Sequence, residues 1–130
     1  MQIGIDRRIG ILLLIPVLAI VTGCASATFI PTGHAYPAKH ADCQIEVFSS
    51  KAPDRPYEEI GIIEGEGSMG LDSLEDVLPK MIEQACLAGG DALVLTSSQK
   101  TVTISDDFDS LSSDEELHTM GTVIVWTDGD

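Results

Sequence analysis

Apolar positions change rhythm several times along this chain. From Ile9 to Val21 (IGILLLIPVLAIV) they are almost continuous, broken only by Gly10 and Pro16. Residues 25 to 41 (ASATFIPTGHAYPAKHA) show no periodicity and mix small residues with prolines and a glycine. That composition predicts an extended tether. From Gln44 to Ser49 (QIEVFS) the pattern alternates, with Ile45 and Val47 on one face and Glu46 and Phe48 on the other, as in a half-buried strand. Lys51 to Pro56 (KAPDRP) is turn chemistry, and Tyr57 to Glu64 (YEEIGIIE) follows as a second strand with Ile60 and Ile62 sharing a face. Two strands around so short a connection predict an antiparallel pair.

The spacing then switches to a helical one over Ser73 to Ala88 (SLEDVLPKMIEQACLA). At 100° per residue Leu74, Leu78, Met81, Ile82 and Ala85 form one apolar stripe. Ser73 and Asp76 approximate a capping box, and Gly89-Gly90 supplies a terminator able to take the left-handed conformation. Pro79 lacks an N–H for the ladder, which predicts a kink or a helix that begins nearer to it. Asp91 to Ser97 (DALVLTS) is apolar on both faces and reads as the central strand. Thr101 to Ile104 and Thr119 to Thr127 complete the set, separated by the acidic run 105 to 116 (SDDFDSLSSDEE), which reads as a solvated loop. The predicted order is β-β-α-β-β-β over residues 43–130: a small α+β domain with one helix packed on a mostly antiparallel sheet.

The N-terminal run decides the compartment. Arg7 and Arg8 precede it, and it is shorter than the roughly 20 residues that a membrane-spanning helix needs. It ends in Val21-Thr22-Gly23-Cys24, which resembles the lipobox of bacterial lipoproteins: an aliphatic residue, two small ones and a cysteine. The resemblance implies that residues 1–23 are a signal peptide removed in the mature protein. It also implies that the Cys24 thiol carries a diacylglyceryl group and that the new amino terminus is acylated. The competing reading of Cys24 is an ordinary cysteine in a signal or membrane segment. In that family an aspartate after the cysteine favours retention at the inner membrane. Ala25 stands there instead, so the expected location is the outer membrane, with the domain periplasmic or surface-exposed. Residues 24–42 would then be anchor and tether.

Charge narrows the partners. The whole chain has a formal charge of −14, and loss of Asp6, Arg7 and Arg8 with the leader makes it one unit more negative. Such a surface repels nucleic acid and anionic headgroups. A metal site at His34 and His40 would need Asp42 and Cys43 as additional ligands, and two histidines in a linker do not amount to one. The expected partners are the membrane, through the anchor, and an envelope protein.

The motif GEGSMG, Gly65 to Gly70, matches G-x-G-x-x-G, the spacing with which a dinucleotide fold brings backbone N–H groups to a pyrophosphate. Glu66 places a carboxylate inside it, the helix starts only after Asp72, and the ribose-binding acid would have to be Asp91, at the start of a strand instead of its end. A flexible strand-to-helix loop without nucleotide is the reading adopted, and no cofactor is expected. No serine lies in a nucleophile elbow, and His118 is the sole histidine within 43–130, so no catalytic group is assigned and no enzyme is expected. The acidic loop 105–116 offers Asp107, Asp109 and Glu115 or Glu116 as hard oxygen ligands. A divalent-cation (Ca²⁺) binding protein is therefore the alternative function, although the order of an EF-hand loop is missing.

Once Cys24 is assigned to lipid, Cys43 and Cys86 remain as an even pair in an exported chain. A Cys43–Cys86 disulfide is expected, two separate buried thiols being the alternative. Cys43, Val47, the Pro56-Tyr57 pair, Ile60, Gly61, Ala85, Gly89, Gly90, Asp91 and Ala92 also resemble the pattern of RcsF-like envelope lipoproteins and, more distantly, of YbjQ-like domains. The resemblance spans residues 43 to 96. It implies a compact α+β domain on an outer-membrane anchor, acting as an interaction or sensing module. At most one of that group's disulfides carries over.

Overall fold

The computed structural model describes residues 24–68, 71, 73–105 and 112–129. Residues 1–23, expected to be a signal peptide, and the acidic stretch 106–111, with Asp107 and Asp109, lie outside the described residues. Six elements follow one another as β1 (Cys24–Pro31), β2 (Glu46–Phe48), β3 (Tyr57–Ser68), α1 (Leu74–Leu87), β4 (Ala92–Ser105) and β5 (Ser112–Trp126). The order β-β-β-α-β-β differs from the expected one by an added strand before β2 and a single long β4 in place of two strands.

The sheet runs β1-β3-β5-β4-β2, antiparallel throughout except for the parallel β2–β4 pair. Two sequence expectations are corrected here. β2 and β3 are not neighbours: β2 is the far edge, against β4, and the Ser49–Pro56 connection carries the chain past β4 and β5. The central strand is β5, not the Asp91–Ser97 segment. Both segments are apolar on both faces, so the pattern alone does not rank them.

The tether is also corrected. Residues 24–31 form an edge strand in register with β3, from Cys24 opposite Ser68 to Pro31 opposite Gly61. Burial alternates along it, with Ala25, Ala27 and Phe29 packed against the core while Cys24, Ser26, Thr28 and Ile30 are exposed. The following segment is pinned as well. The N–H groups of Thr32 and Gly33 donate to the Ile60 carbonyl, and Lys39 N–H donates to Cys86 O at 2.9 Å. Among the described residues the folded unit therefore includes the segment from Cys24 onward and does not begin at Cys43.

The helix covers one face of the sheet. Its buried residues are Val77, Met81, Ala85 and Cys86, so the true stripe is turned by a fraction of a turn from the expected one. Leu78 lies at its margin and Leu74 is exposed. The capping box forms, with Ser73 N–H donating to Asp76 Oδ2 at 3.3 Å. The helix continues through Pro79, which is exposed and deprives the Glu75 carbonyl of its usual donor. Gly89 closes the helix at φ 81°, where a side chain would be strained.

The core lies between α1 and the sheet, around Ile60, Ile63, Val77, Met81, Leu93 and Val123. A bulge between Glu59 and Gly61 inserts one residue into β3 and shifts its alternation. Ile63 is therefore fully buried, and Ile62, expected to share a face with Ile60, is only half-buried. On the opposite face Phe48 meets Trp126 edge-on at 6.2 Å, and the Arg55 guanidinium lies 4.3 Å from the Trp126 ring. Those three residues cover one end of that face. Among the described residues none covers the end that carries Cys24.

Candidate functional site

The expected cysteine pairing is present. Cys43 and Cys86 form a disulfide, with Cα atoms 5.8 Å apart, while Cys24 is free and exposed. The bridge ties the segment before β2 to the last turn of α1. Cys24 stands at the first position of β1, in one row with Ser68 of β3, Glu116 of β5 and Thr101 of β4. Because Ala25, Ala27 and Phe29 point to the helix side, Cys24 belongs to the bare face. Its thiol can be alkylated without disturbing the core.

The bare face is read off the register. Ile30, Ile62, Thr122 and Val94 form one row, Thr28, Glu64 and Met120 the next, and Ser26, Glu66 and His118 the third. Ile30 and Met120 are 41% and 38% exposed. His118 Nδ1 lies 3.6 Å from Glu66 and its Nε2 3.6 Å from Glu116. His118 is thus a strand residue between two carboxylates.

The acidic run is partly corrected. Ser112 to Glu116 belong to β5, and Glu115 pairs with Lys100 at 2.7 Å. Of the Ca²⁺ ligands suggested by sequence, Glu115 and Glu116 are engaged with Lys100 and His118. Among the described residues no cluster of three or more His, Cys, Asp or Glu side chains could hold a metal ion.

The glycines of GEGSMG have another use. Gly65, Glu66, Gly67 and Ser68 lie within β3, so the expected flexible loop is strand over these four residues, while Met69 and Gly70 lie outside the described residues. A Cβ at Gly65 would fall 2.6 Å from Val77 Cγ1 and 2.8 Å from Met81 Sδ. A Cβ at Gly67 would collide with the Leu71 carbonyl and Val77. The absent side chains let α1 lie directly on the sheet.

Sequence reasoning missed several polar clusters that are built from residues distant in the chain. Glu58 accepts a hydrogen bond from Tyr36 Oη at 2.6 Å and lies 2.5 Å from His34 Nδ1. The Tyr36 hydrogen bond, and then that to His34, hold the Glu58 carboxyl below its usual range. Arg55 does the same for Asp128 through a double hydrogen bond at 2.8 and 2.9 Å. Asp91 accepts from Lys39 Nζ at 2.5 Å and from the Trp126 backbone N–H at 2.8 Å. It thereby joins the loop after β1 to the end of β5, a structural role. A half-open cleft of about 260 Å³ adjoins His34, between Phe29, Tyr36, Ile60, Leu87 and Ala88. Its walls are largely apolar, and the Tyr36 hydroxyl and His34 imidazole are both committed to Glu58.

No known protein family matches the chain, and no curated protein does. Among solved structures it is similar to the crystal structure of a Francisella virulence factor, FvfA, at 14% identity and a TM-score of 0.44, over 77% of this chain and 97% of that one. Among the described residues no helix is long and apolar enough to cross a membrane.

Proposed function

We propose that the chain is a lipid-anchored lipoprotein of the bacterial outer membrane, whose domain serves as a non-enzymatic interaction or sensing module of the cell envelope. The observation that carries this reading is the state of the cysteines. Cys24, at the end of the apolar run in Val-Thr-Gly-Cys, is free and exposed at the start of the folded unit, whereas the other two are joined. The bridge suits an oxidising compartment, where such bonds persist. Each buried methylene contributes about 0.8 kcal/mol, so two or three acyl chains hold a protein at a bilayer where one would not.

The test is metabolic labelling with palmitate. Wild type should take up the label and migrate as the shorter, cleaved form, whereas Cys24→Ala should remain unlabelled and keep its leader. Label retained by the variant would overturn the reading.

A further inference from the structure

We infer that the bare face of the sheet is a membrane-seating surface. The acyl chains on Cys24 draw the rows of Thr28, Glu64 and Met120 and of Ser26, Glu66 and His118 against the headgroups, and α1 is turned away from the bilayer. The inference rests on the lipid anchoring proposed above and adds an orientation to it.

Three features of the fold lead there. First, no tether intervenes: Cys24 is itself a residue of β1, paired with Ser68, so a chain attached to it begins at the body of the domain. Second, Cys24 alternates onto the face opposite the helix, together with the exposed residues Ser26, Thr28 and Ile30. A thioether at its Sγ therefore leaves from that face. Third, the domain cannot stand upright on the end of the sheet. Beyond the Cys24 row, β4 and β5 continue for four more residue pairs, from Val102 opposite Glu115 to Ser105 opposite Ser112. At about 3.3 Å per residue this arm projects roughly 13 Å past the anchor. Upright, it would carry Glu115 and its partner Lys100 toward hydrocarbon, and taking a charged pair out of water is disfavoured even where the pair persists. Lying the sheet down leaves the arm along the surface and places the face that bears the anchor beneath the domain.

The chemistry of the face fits the headgroup layer and not the hydrocarbon. Ile30 and Met120 offer scattered apolar contact, whereas Glu64, Glu66 and Glu116 stay at the level of polar groups. Carboxylates so placed suit the ammonium groups of zwitterionic phospholipids. The other end of the face, already covered by Arg55 over Trp126, takes no part.

Carboxyl footprinting of the acylated protein needs no substitution in the face. The purified lipoprotein, in phosphatidylethanolamine/phosphatidylcholine vesicles and separately as an acyl-free Cys24→Ser chain produced without residues 1–23, would be treated with a carbodiimide and an amine and read by mass spectrometry. Modification of Glu64, Glu66 and Glu116 should fall several-fold in vesicles, while Glu75 and Glu83 on the helix react equally in both. A twelve-residue Gly/Ser insertion between Cys24 and Ala25 should restore the reaction at the three carboxylates without loss of the acyl chains. Equal reaction at all five in the vesicle-bound acylated protein, or protection of the helix instead, would overturn the seating and leave the anchor standing. Absence of acyl mass on Cys24 would overturn both.

Discussion

Cys43 and Cys86 are joined across 43 residues of chain, and the bond fastens the segment entering the edge strand β2 to the last turn of the only helix described. β2 has three residues and pairs only with β4, so hydrogen bonding alone holds it weakly. Closing a loop of this length removes entropy from the unfolded chain worth about 4 kcal/mol, an upper figure because native strain subtracts from it. A domain of this size has about 5–15 kcal/mol in total. Reduction under native conditions should therefore lower the melting temperature strongly, and Cys43→Ser/Cys86→Ser should melt like the reduced protein. A reduced form that melts within a degree or two of the oxidised one would show that α1 and β2 are held independently.

The contact between Gly65 and the Val77–Met81 pair makes a sharper prediction. Gly65→Ala would place a methyl group 2.6 Å from Val77 Cγ1. Val77 and Met81 are both fully buried and have little room to retreat. Overpacking of this kind costs typically about 1–3 kcal/mol. Denaturant unfolding should show that loss with an unchanged slope. Glu66→Ala, on the exposed side of the same strand, should change stability by less than about 0.5 kcal/mol. Equal effects at the two positions would refute the close approach of helix and strand.

How much of this could be read in the sequence depended on what the residues had to do. The helix was legible because one face must be apolar and its ends need chemistry that Ser73, Asp76 and Gly89 provide. The disulfide was legible by elimination once Cys24 was set aside. The β4 half of the long arm was read as strand at Thr101 to Ile104, but the β5 half was not, because Ser112 to Glu116 (SSDEE) holds no apolar residue to alternate. Ser112 to Glu116 therefore read as loop. β1 was hidden by its own composition: Ala25 and Ala27 bury little area and Phe29 alone is large, so the alternation carried almost no hydrophobic contrast. The bulge at Ile60 defeated the assignment of faces in β3, since one inserted residue exchanges them. The His34–Glu58–Tyr36 cluster joins residues more than twenty positions apart and left no local pattern to find.

That cluster gives the domain a pH dependence whose sign is fixed. The folded-state pKa of Glu58 is depressed, chiefly by the Tyr36 hydroxyl and then by His34. A depressed carboxyl contributes stability that is present above its unfolded value and is lost as pH falls through the folded one. The model-peptide value for a glutamate is 4.5, so the loss belongs below that pH. Glu58→Gln should lower the melting temperature slightly at pH 7, because the cluster is at the surface and well solvated. The difference from wild type should vanish as the buffer is taken down through the acid range. A difference that persists undiminished at the acid end would assign the effect to packing instead of charge.

Phe29 decides between a strand and a tether. As part of β1 it packs on the core cluster, and its ring lies so near Gly61 that a Cβ there would strike it. In a tether the ring would be solvated and its removal would cost nothing. Phe→Ala at fully buried sites costs about 3–5 kcal/mol. Phe29 is only half-buried, so about 2 kcal/mol is the expectation for Phe29→Ala, with Thr28→Ala on the exposed side of the strand as the control. The comparison is best made on the soluble form lacking residues 1–24, so that membrane attachment plays no part. Loss of stability at position 29 but not at 28 would follow from alternation in β1. Two neutral substitutions would return residues 25–31 to the role of spacer, and the seating of the sheet against the bilayer would lose its geometric basis with them.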